Sequence, residues 1–169
     1  MEQVILVDEQ DTPIGLMEKQ AAHVTPHLHR AFSVFIFKTK GELLMQQRAL
    51  SKYHSPGLWT NTCCSHPCDG ETLAQATSRR LMEEMGMQCD MHEVFTFIYK
   101  APVGLGLIEH EFDHVWFGKT DEVPQINTEE VASWKYMRLE DLQADIKAHP
   151  ELYTEWFKIS FDEILRHCQ

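Results

Sequence analysis

Residues 65–87 read SHPCDGETLAQATSRRLMEEMGM, and this stretch predicts a helix with a marked start and a marked end. Asp69 is one candidate N-cap, and Thr72 followed by Gln75 forms an alternative capping box. Gly86 is the residue type that commonly ends a helix. Apolar residues recur along one side of the segment, at Leu73, Ala76, Leu81 and Met85. The stretch therefore predicts an amphipathic helix that packs against a core.

Two carboxylates, Glu83 and Glu84, follow each other near the end of this helix. The negative end of the helix dipole disfavours them there, and the preceding Arg79 and Arg80 offset part of that charge. Taken alone, the pattern favours a solvated helix end with i,i+4 ion pairs such as Arg80–Glu84. The carboxylates alone leave open whether this helix end binds anything.

The segment before the helix, WTNTCCSHP at residues 59–67, concentrates cysteine and histidine. It is not the C-x-x-C pair of a zinc ribbon, and a disulfide between adjacent cysteines is strained and rare. On a short strand, Cys64 and His66 share one face and Cys63 points to the other. We therefore expect Cys63 to pack in the core, and Cys64 to be a thiol that nearby metal or cationic side chains bias towards the thiolate.

A long alternating segment, IEHEFDHVWFGK at residues 108–119, predicts a strand with an acidic face. Glu109, Glu111 and Asp113 share that face, which either meets solvent or binds a metal ion. Histidines from two earlier segments supply nitrogen donors. Together these residues make a plausible ligand set for a divalent transition metal: His23, His29, His66, Glu109 and Glu111.

The remaining chain predicts one α/β domain. It has 169 residues, a usual size for a single domain. Strands are predicted at 1–7, 32–37, 43–48 and 94–100, with PVGLG at 102–106 as a turn. Helices are predicted at 140–147 and at 151–167, the latter with an apolar side of Leu152, Trp156, Ile159 and Ile164. Strands, helix, strands and helices in this order predict a mixed sheet.

The formal net charge of −11 disfavours nucleic acid and anionic membranes as partners. It also repels a phosphorylated substrate, unless metal or local Lys and Arg reverse the field in the site. The sequence shows no secretory signal and no stretch long enough for a membrane span. Five cysteines favour a reduced compartment, so we expect a cytoplasmic protein, present as a monomer or weak dimer.

Residues 65–87 resemble a degenerate Nudix box, G-x5-E-x7-R-E-U-x-E-E-x-G-U with U aliphatic. The matching positions are Glu71, Arg79, Leu81, Glu83, Glu84, Gly86 and Met87. Ser65 replaces the first glycine, and Arg80 replaces a glutamate that Nudix hydrolases use to hold catalytic metal, which argues against diphosphate hydrolysis. The resemblance implies a Nudix-like α/β/α sandwich with a mixed central sheet, an N-terminal extension at 1–30 and C-terminal helices.

A narrower pattern is similar to the type 1 isopentenyl-diphosphate Δ-isomerases, a Nudix-fold family of isoprenoid synthesis. The matching segments run in order from about Ile5 to Trp156: EKQAAH, LHRAFS, RALSKYHSPGLWTNTCCSHP, RRLMEEMG and the E-x-E of IEHEF. TNTCCSHP with a downstream E-x-E is highly specific, whereas the Nudix box alone is not. Residues 1–169 are therefore expected to form one isomerase domain.

The resemblance implies a role for each matching residue. The catalytic cysteine and glutamate fall on Cys64 and Glu111, and the aromatic residues beside the isoprenoid fall on Tyr99 and Trp156. The diphosphate contacts fall on Lys19, Arg48, Lys52 and Arg80. The ligands of an ion described as Mn²⁺, Mg²⁺ or Zn²⁺ fall on His23, His29, His66, Glu109 and Glu111. Glu84 matches the carboxylate that holds a second Mg²⁺, bound with the substrate diphosphate.

The implied reaction converts isopentenyl diphosphate into dimethylallyl diphosphate by a 1,3-proton transfer. An unactivated alkene needs a strong acid on one side and a base on the other. Glu111, or Tyr99 polarised by it, would deliver the first proton, and Cys64 would take or relay the second. Trp156 would stabilise the carbocation, and residues 1–30 would form a lid that excludes water.

Three other functions compete with this one. A Nudix diphosphohydrolase would release phosphate from nucleoside diphosphate derivatives. A Cys–His acyl-transfer enzyme would need an orienting Asn or Asp and an oxyanion hole, which the sequence does not place. A metal- or redox-sensing module would bind metal without turnover, and would have no use for a basic diphosphate site.

Overall fold

The computed structural model describes residues 2–168, which fold as one large sheet with helices on both faces. The helices are α1 (Lys19–Val24), α2 (Leu73–Met85), α3 (Leu139–Ala148) and α4 (Glu155–His167). The strands are β1 (Gln3–Val7), β2 (Pro13–Glu18), β3 (His29–Phe37), β4 (Leu43–Arg48), β5 (Trp59–Thr60), β6 (Cys63–Ser65), β7 (Met91–Gly104), β8 (Leu107–Lys119) and β9 (Val131–Met137). Met1, part of the first predicted strand, lies outside the described residues.

Strand β3 connects most of the sheet. It pairs in parallel with β8, from His29–Glu111 to Phe37–Lys119, and antiparallel with the short β6. The other long pairs, β7 with β8 and β4 with β9, are antiparallel. One parallel pair among antiparallel neighbours makes the sheet mixed, so the predicted α/β sandwich with a mixed central sheet is confirmed.

The alternation of side chains along β3 separates two apolar cores. Phe32 and Val34 point to one face and pack with Leu81 of α2. Phe35 points to the other face, where its ring centroid lies 6.1 Å from that of Phe157 in α4. Odd-numbered residues of β3 therefore share their face with α4, and this is the face that carries the site.

The ends of α2 follow the capping box and not Asp69. The Thr72 side chain accepts a hydrogen bond from the Gln75 backbone N at 3.1 Å, and the Gln75 side chain accepts from the Thr72 N at 2.9 Å. The prediction of Asp69 as the N-cap is wrong, because the reciprocal pair satisfies two free N–H groups of the first turn. Gly86 ends the helix as predicted, in the left-handed conformation with φ 63°.

Several predicted boundaries are wrong, since β3 and β7 extend beyond the predicted 32–37 and 94–100. The turn at 102–106 is shorter, because β7 continues to Gly104 and β8 begins at Leu107. The last helix starts later, because Pro150–Leu152 forms a 3-10 turn and the next two residues are extended, which rotates the following face. Leu152 and Ile159 are consequently 44% and 48% exposed, and the buried apolar residues of α4 are Trp156, Phe157, Phe161 and Ile164.

The N-terminal segment extends the sheet. Strand β1 pairs with β2 as a hairpin and touches β3 through the Leu6–His29 pair. Helix α1 follows at once, because the Glu18 side chain accepts hydrogen bonds from the backbone N of Gln20 and Ala21. This arrangement brings α1 against β8. Closure of residues 1–30 as a lid, and a single domain over 1–169, stay predictions.

Membrane crossing by a helix finds no support in this fold. Across residues 2–168, none of the helices combines the length and apolar character that a bilayer span requires.

A Gly86→Ala substitution tests the end of α2. The left-handed backbone costs an L-residue about 1–2 kcal/mol, and an added Cβ would lie 2.4 Å from the Gln125 carbonyl oxygen. We expect the free energy of unfolding, measured by chemical denaturation, to fall by more than that strain alone. Gly70→Ala is the matched control, since Gly70 has φ 82° but open space around its Cβ position. Equal destabilisation of the two variants would contradict the packing of Gln125 on this helix end.

Candidate active site

Buried histidines and glutamates meet on the α4 face of the sheet. The β3–β8 register places His29 opposite Glu111, and His29 Nε2 lies 3.2 Å from Glu111 Oε2. His66, which follows β6, places its Nε2 2.9 Å from the same oxygen. His23 of α1 places its Nε2 3.2 Å from Glu109 Oε2. All five residues are buried, so the acidic face of β8 is the inner face.

This group has the chemistry of a divalent-metal site. One ligand atom from each of His23, His29, His66 and Glu111 lies within 4.8 Å of the other three. Ligands held about 2.1 Å from a common ion are separated by roughly 3.0–3.4 Å from their neighbours. The measured separations of 2.9 and 3.2 Å on Glu111 are close to that range.

The outer nitrogens of two histidines fix the direction of their inner nitrogens. His23 Nδ1 donates to the Lys19 carbonyl at 2.7 Å, and His29 Nδ1 donates to the His27 carbonyl at 2.8 Å. In a neutral imidazole this leaves the Nε2 lone pair pointing inward, which is the arrangement that metal-ligating histidines adopt. Burial lowers the pKa of His66 to about 4, so the His66 ring is neutral. The buried His/Glu group therefore fits a divalent metal.

Tyr99 lies behind the two carboxylates. Its hydroxyl contacts Glu109 and lies 2.5 Å from Glu111 Oε1. A phenol has one hydrogen, so one of these contacts needs a carboxyl group as the donor. Burial, with the neighbouring Glu111, raises the pKa of Glu109, and burial with both carboxylates raises the pKa of Tyr99. Although burial opposes it, the hydrogen bonds to His29 and His66 lower the pKa of Glu111. The cluster therefore holds its proton on Glu109 and Tyr99, next to Glu111.

The two adjacent cysteines face opposite sides of the sheet, as predicted. Cys63 is fully buried in the α2 core, with its Sγ 3.5 Å from Glu84 Oε2. Cys64 lines a cavity on the α4 face. The expectation of a thiolate is wrong, because burial and the nearby Asp113 raise the pKa of Cys64. Cys64 is a neutral thiol in this structure.

That cavity, of about 50 Å³, also contains the predicted diphosphate contacts. Its walls include Cys64, His66, Glu109, Glu111, Trp156 and the four basic residues Lys19, Arg48, Lys52 and Arg80. Tyr99 does not belong to the wall and reaches it only through the carboxylates. The Trp156 indole N–H donates to Cys64 Sγ at 3.0 Å, and the Arg48 guanidinium lies 5.3 Å from the Trp156 ring.

Glu84 stands apart from the His/Glu group. It is buried and pairs with Arg80, whose Nη2 lies 2.9 Å from Glu84 Oε2. The i,i+4 ion pair read from the sequence is therefore present. Arg80 also faces the cavity, so this pair connects α2 with the diphosphate contacts. The neighbouring Arg79 turns to Glu71 and Glu83 instead.

Sequence reasoning did not assign His54, Tyr53 or Asn61 to the site. His54 and Tyr53 line the cavity from the loop after β4, and His54 Nε2 lies 3.4 Å from Glu109 Oε2. Burial, with the nearby Arg48, lowers the pKa of His54 to about 2. Asn61 contacts the Cys64 thiol. Their only sequence signal is their position within RALSKYHSPGLWTNTCCSHP, because loop residues carry no periodicity.

Comparison with known proteins identifies the domain family and the fold. Residues 27–157 match the family model of the NUDIX domain. Among solved structures, DR0079 from Deinococcus radiodurans aligns over 99% of both chains with a TM-score of 0.78 and 22% identity. A MutT protein from Methanosarcina mazei aligns over 83% of this chain and 94% of its own, with a TM-score of 0.69 and 16% identity. At these identities the likeness concerns the fold, and the chain is a NUDIX-fold protein with a buried His/Glu group.

Curated relatives narrow the class. The isopentenyl-diphosphate Delta-isomerase of Pectobacterium atrosepticum is 52% identical over 99% of this chain and 93% of its own length. Isopentenyl-diphosphate Delta-isomerase 2 of Aromatoleum aromaticum is 48% identical over 97% of this chain and 87% of its own. The chain therefore belongs to the isopentenyl-diphosphate Delta-isomerase family.

Proposed function

We propose that this chain isomerises isopentenyl diphosphate to dimethylallyl diphosphate, through protonation and deprotonation that depend on a bound metal ion. The observation that carries the proposal is one cavity that joins two kinds of chemistry. Cys64 and Glu111 supply acid–base groups, and Lys19, Arg48, Lys52 and Arg80 supply positive charge. A metal sensor has no use for this combination.

The diphosphate would bind at the basic side of the cavity. Arg48 Nε and Arg80 Nε are buried donors that find no acceptor within the described part of the chain. A buried donor left unpaired costs about 1–3 kcal/mol, so its persistence here favours an anionic ligand with several acceptor oxygens. Local basic side chains would also reverse the negative field of a chain with net charge −11.

The first proton would come from the carboxylate side. Protonation of the terminal CH₂ carbon of the substrate breaks the alkene π bond and leaves a tertiary carbocation. Glu111 lines the cavity, whereas Tyr99 bonds to it from behind. The sequence left two proton donors open, Glu111 and Tyr99. This geometry favours Glu111 as the group that protonates the substrate, with Tyr99 donating to Glu111 from behind and replacing its proton.

The second proton would leave carbon 2 of the substrate towards Cys64. The C–H electron pair then forms the new double bond, and the sulfur gains a proton. Because the neutral thiol already carries a hydrogen, it must pass that hydrogen on as it accepts the new one. Ser33 Oγ lies 3.6 Å from Cys64 Sγ and donates to Asp113 at 2.7 Å. The thiol hydrogen would pass to Ser33 while the Ser33 hydrogen passes to the Asp113 carboxylate, whose pKa burial raises, and Asp113 would end the step as the neutral acid.

The metal ion would be held by His23, His29, His66, Glu109 and Glu111, as Mn²⁺, Mg²⁺ or Zn²⁺. When bound, it would fix the geometry of the carboxylates and bias their proton affinity. A second Mg²⁺ would accompany the diphosphate near Glu84, which requires Glu84 to divide its contacts between that ion and Arg80.

The surroundings of the cavity would protect the carbocation. The Trp156 ring would face the cation, an interaction worth about 1–2 kcal/mol in a desolvated site. Residues 1–30 would close over it and exclude water. We further propose a cytoplasmic monomer or weak dimer that acts on this small diphosphate and binds neither nucleic acid nor membranes.

Arg80→Gln tests the diphosphate end. A charge-assisted hydrogen bond contributes about 1.5–3 kcal/mol, so we expect KM for isopentenyl diphosphate to rise about 10- to 100-fold. Arg79→Gln is the matched control, because Arg79 pairs with Glu71 and Glu83 outside the cavity wall. Its KM should stay within about twofold of the parent. Equal KM changes in both variants would remove Arg80 from the diphosphate site.

Cys64→Ala tests the proton transfer. Following product by NMR with Mg²⁺ present, we expect the rate to fall by about 10²–10⁴-fold, the usual contribution of a positioned acid or base. Cys63→Ala is the control, since Cys63 packs on the other face and should lose stability while keeping turnover. Undiminished turnover in Cys64→Ala would contradict the assignment, and phosphate release by the parent protein would favour a diphosphohydrolase.

A further inference from the structure

The Cys64 thiol has a fixed hydrogen-bond partner in Asn61. Cys64 Sγ lies 3.1 Å from Asn61 Oδ1, and Asn61 is fully buried. The amide of Asn61 cannot turn, because its Nδ2 donates to the carbonyl oxygens of Val34 at 3.0 Å and of Cys63 at 2.9 Å. Both Nδ2 hydrogens are therefore used, and Oδ1 must face the thiol as an acceptor. The thiol hydrogen is consequently directed at Asn61.

The same oxygen is the end of a chain of hydroxyl groups from helix α4. The Thr154 hydroxyl donates to Thr60 Oγ1 at 2.8 Å, and the Thr60 hydroxyl donates to Asn61 Oδ1 at 2.8 Å. Thr154 is the N-cap residue of α4 and is fully buried. The orientation of these hydroxyls follows from the carboxamide, since each has one hydrogen to give.

Helix α4 closes this series of hydrogen bonds into a ring. Two residues after Thr154, the Trp156 indole N–H donates to Cys64 Sγ. The ring thus runs from Thr154 through Thr60, Asn61 and Cys64 to Trp156, and both of its ends lie on the first turn of α4. One lone pair of the sulfur accepts the indole N–H, and its hydrogen points to Asn61. The remaining lone pair is free for the cavity that Cys64 lines.

We propose that Asn61 is a positioning residue for the isomerisation. In the resting protein it holds the Cys64 hydrogen away from the substrate and aims the free sulfur lone pair at the substrate, in fixed relation to the Trp156 ring. As the sulfur accepts the substrate proton, the held hydrogen turns to Ser33 Oγ, 3.6 Å from the sulfur, and leaves by the relay to Asp113. Asn61 acts through Cys64 and does not touch the substrate. The inference rests on the proposed function for its catalytic consequence, but the hydrogen bond itself can be observed in the resting protein without turnover.

Infrared spectroscopy of the thiol provides that observation. The S–H stretch falls in a region clear of other protein bands, and a Cys64→Ala difference spectrum assigns the Cys64 band. Asn61→Ala removes the acceptor, so we expect the band to move to higher wavenumber. Thr60→Val removes a donor that competes for Asn61 Oδ1, so the band should move to lower wavenumber. Opposite shifts separate this hydrogen bond from a general loosening of the fold.

Steady-state kinetics of the isomerisation test the effect of this hydrogen bond on turnover. We expect Asn61→Ala to lower kcat about 10- to 100-fold while KM stays within about twofold, since a small misplacement of a reacting group costs rate and not binding. Ser160→Ala is the control, because within residues 2–168 this buried hydroxyl of α4 bonds only the Phe157 carbonyl of its own helix. It should change neither kcat nor the S–H band.

The outcomes are distinguishable. An unshifted Cys64 band in Asn61→Ala and in Thr60→Val would overturn the proposal, and so would a kcat loss no larger than that of Ser160→Ala. If Asn61→Ala does not fold, the shift in Thr60→Val decides the hydrogen bond. Shifted bands in a parent protein that does not isomerise the substrate would keep the hydrogen bond and reject both the proposed function and the positioning role.

Discussion

The parallel pairing of β3 with β8 is the constraint on which the rest of the site depends. Its register sets His29 beside Glu111, and side-chain alternation then places Glu109, Glu111 and Asp113 on the same inner face as Ser33. A shift of β8 by one residue would turn Glu109, Glu111 and Asp113 away from this face and point the aromatic side of β8 into the site. Strand β6 adds Cys64 opposite Ser33 on the other edge of β3. The acid–base groups thus flank one central strand and converge above it.

Much of this arrangement could be predicted from local sequence. Strand alternation separated Cys63 from Cys64 and grouped the acidic residues of β8, because the period of a strand is independent of its neighbours. Gly86 and the Thr72–Gln75 pair marked the ends of α2, because caps are local chemistry. The sequence of β8 itself does not determine which of its two faces points inward. The inward face depends on α1 and on the loop after β4 covering the acidic face, and these contacts join distant parts of the chain.

Other features could not be predicted for the same physical reason. The orientation of the Asn61 amide depends on the carbonyl oxygens of Val34 and Cys63, and thus on how β3 and β6 pair. The neutral state of Cys64 depends on its burial and on Asp113, which outweigh the nearby cations that had favoured a thiolate. The late start of α4 depends on the 3-10 turn at Pro150–Leu152 and on the two extended residues that follow it. These residues determine how Trp156 meets the Cys64 thiol.

The most direct test of the account is the reaction run in D₂O with isopentenyl diphosphate and Mg²⁺, with products followed by NMR. Transfer from exchangeable groups such as Glu111 and Tyr99 predicts dimethylallyl diphosphate that carries deuterium in a methyl group, because the added proton comes from sites that equilibrate with solvent. A product free of deuterium would contradict protonation by these groups. Release of inorganic phosphate without any dimethylallyl diphosphate would contradict the proposed isomerisation itself.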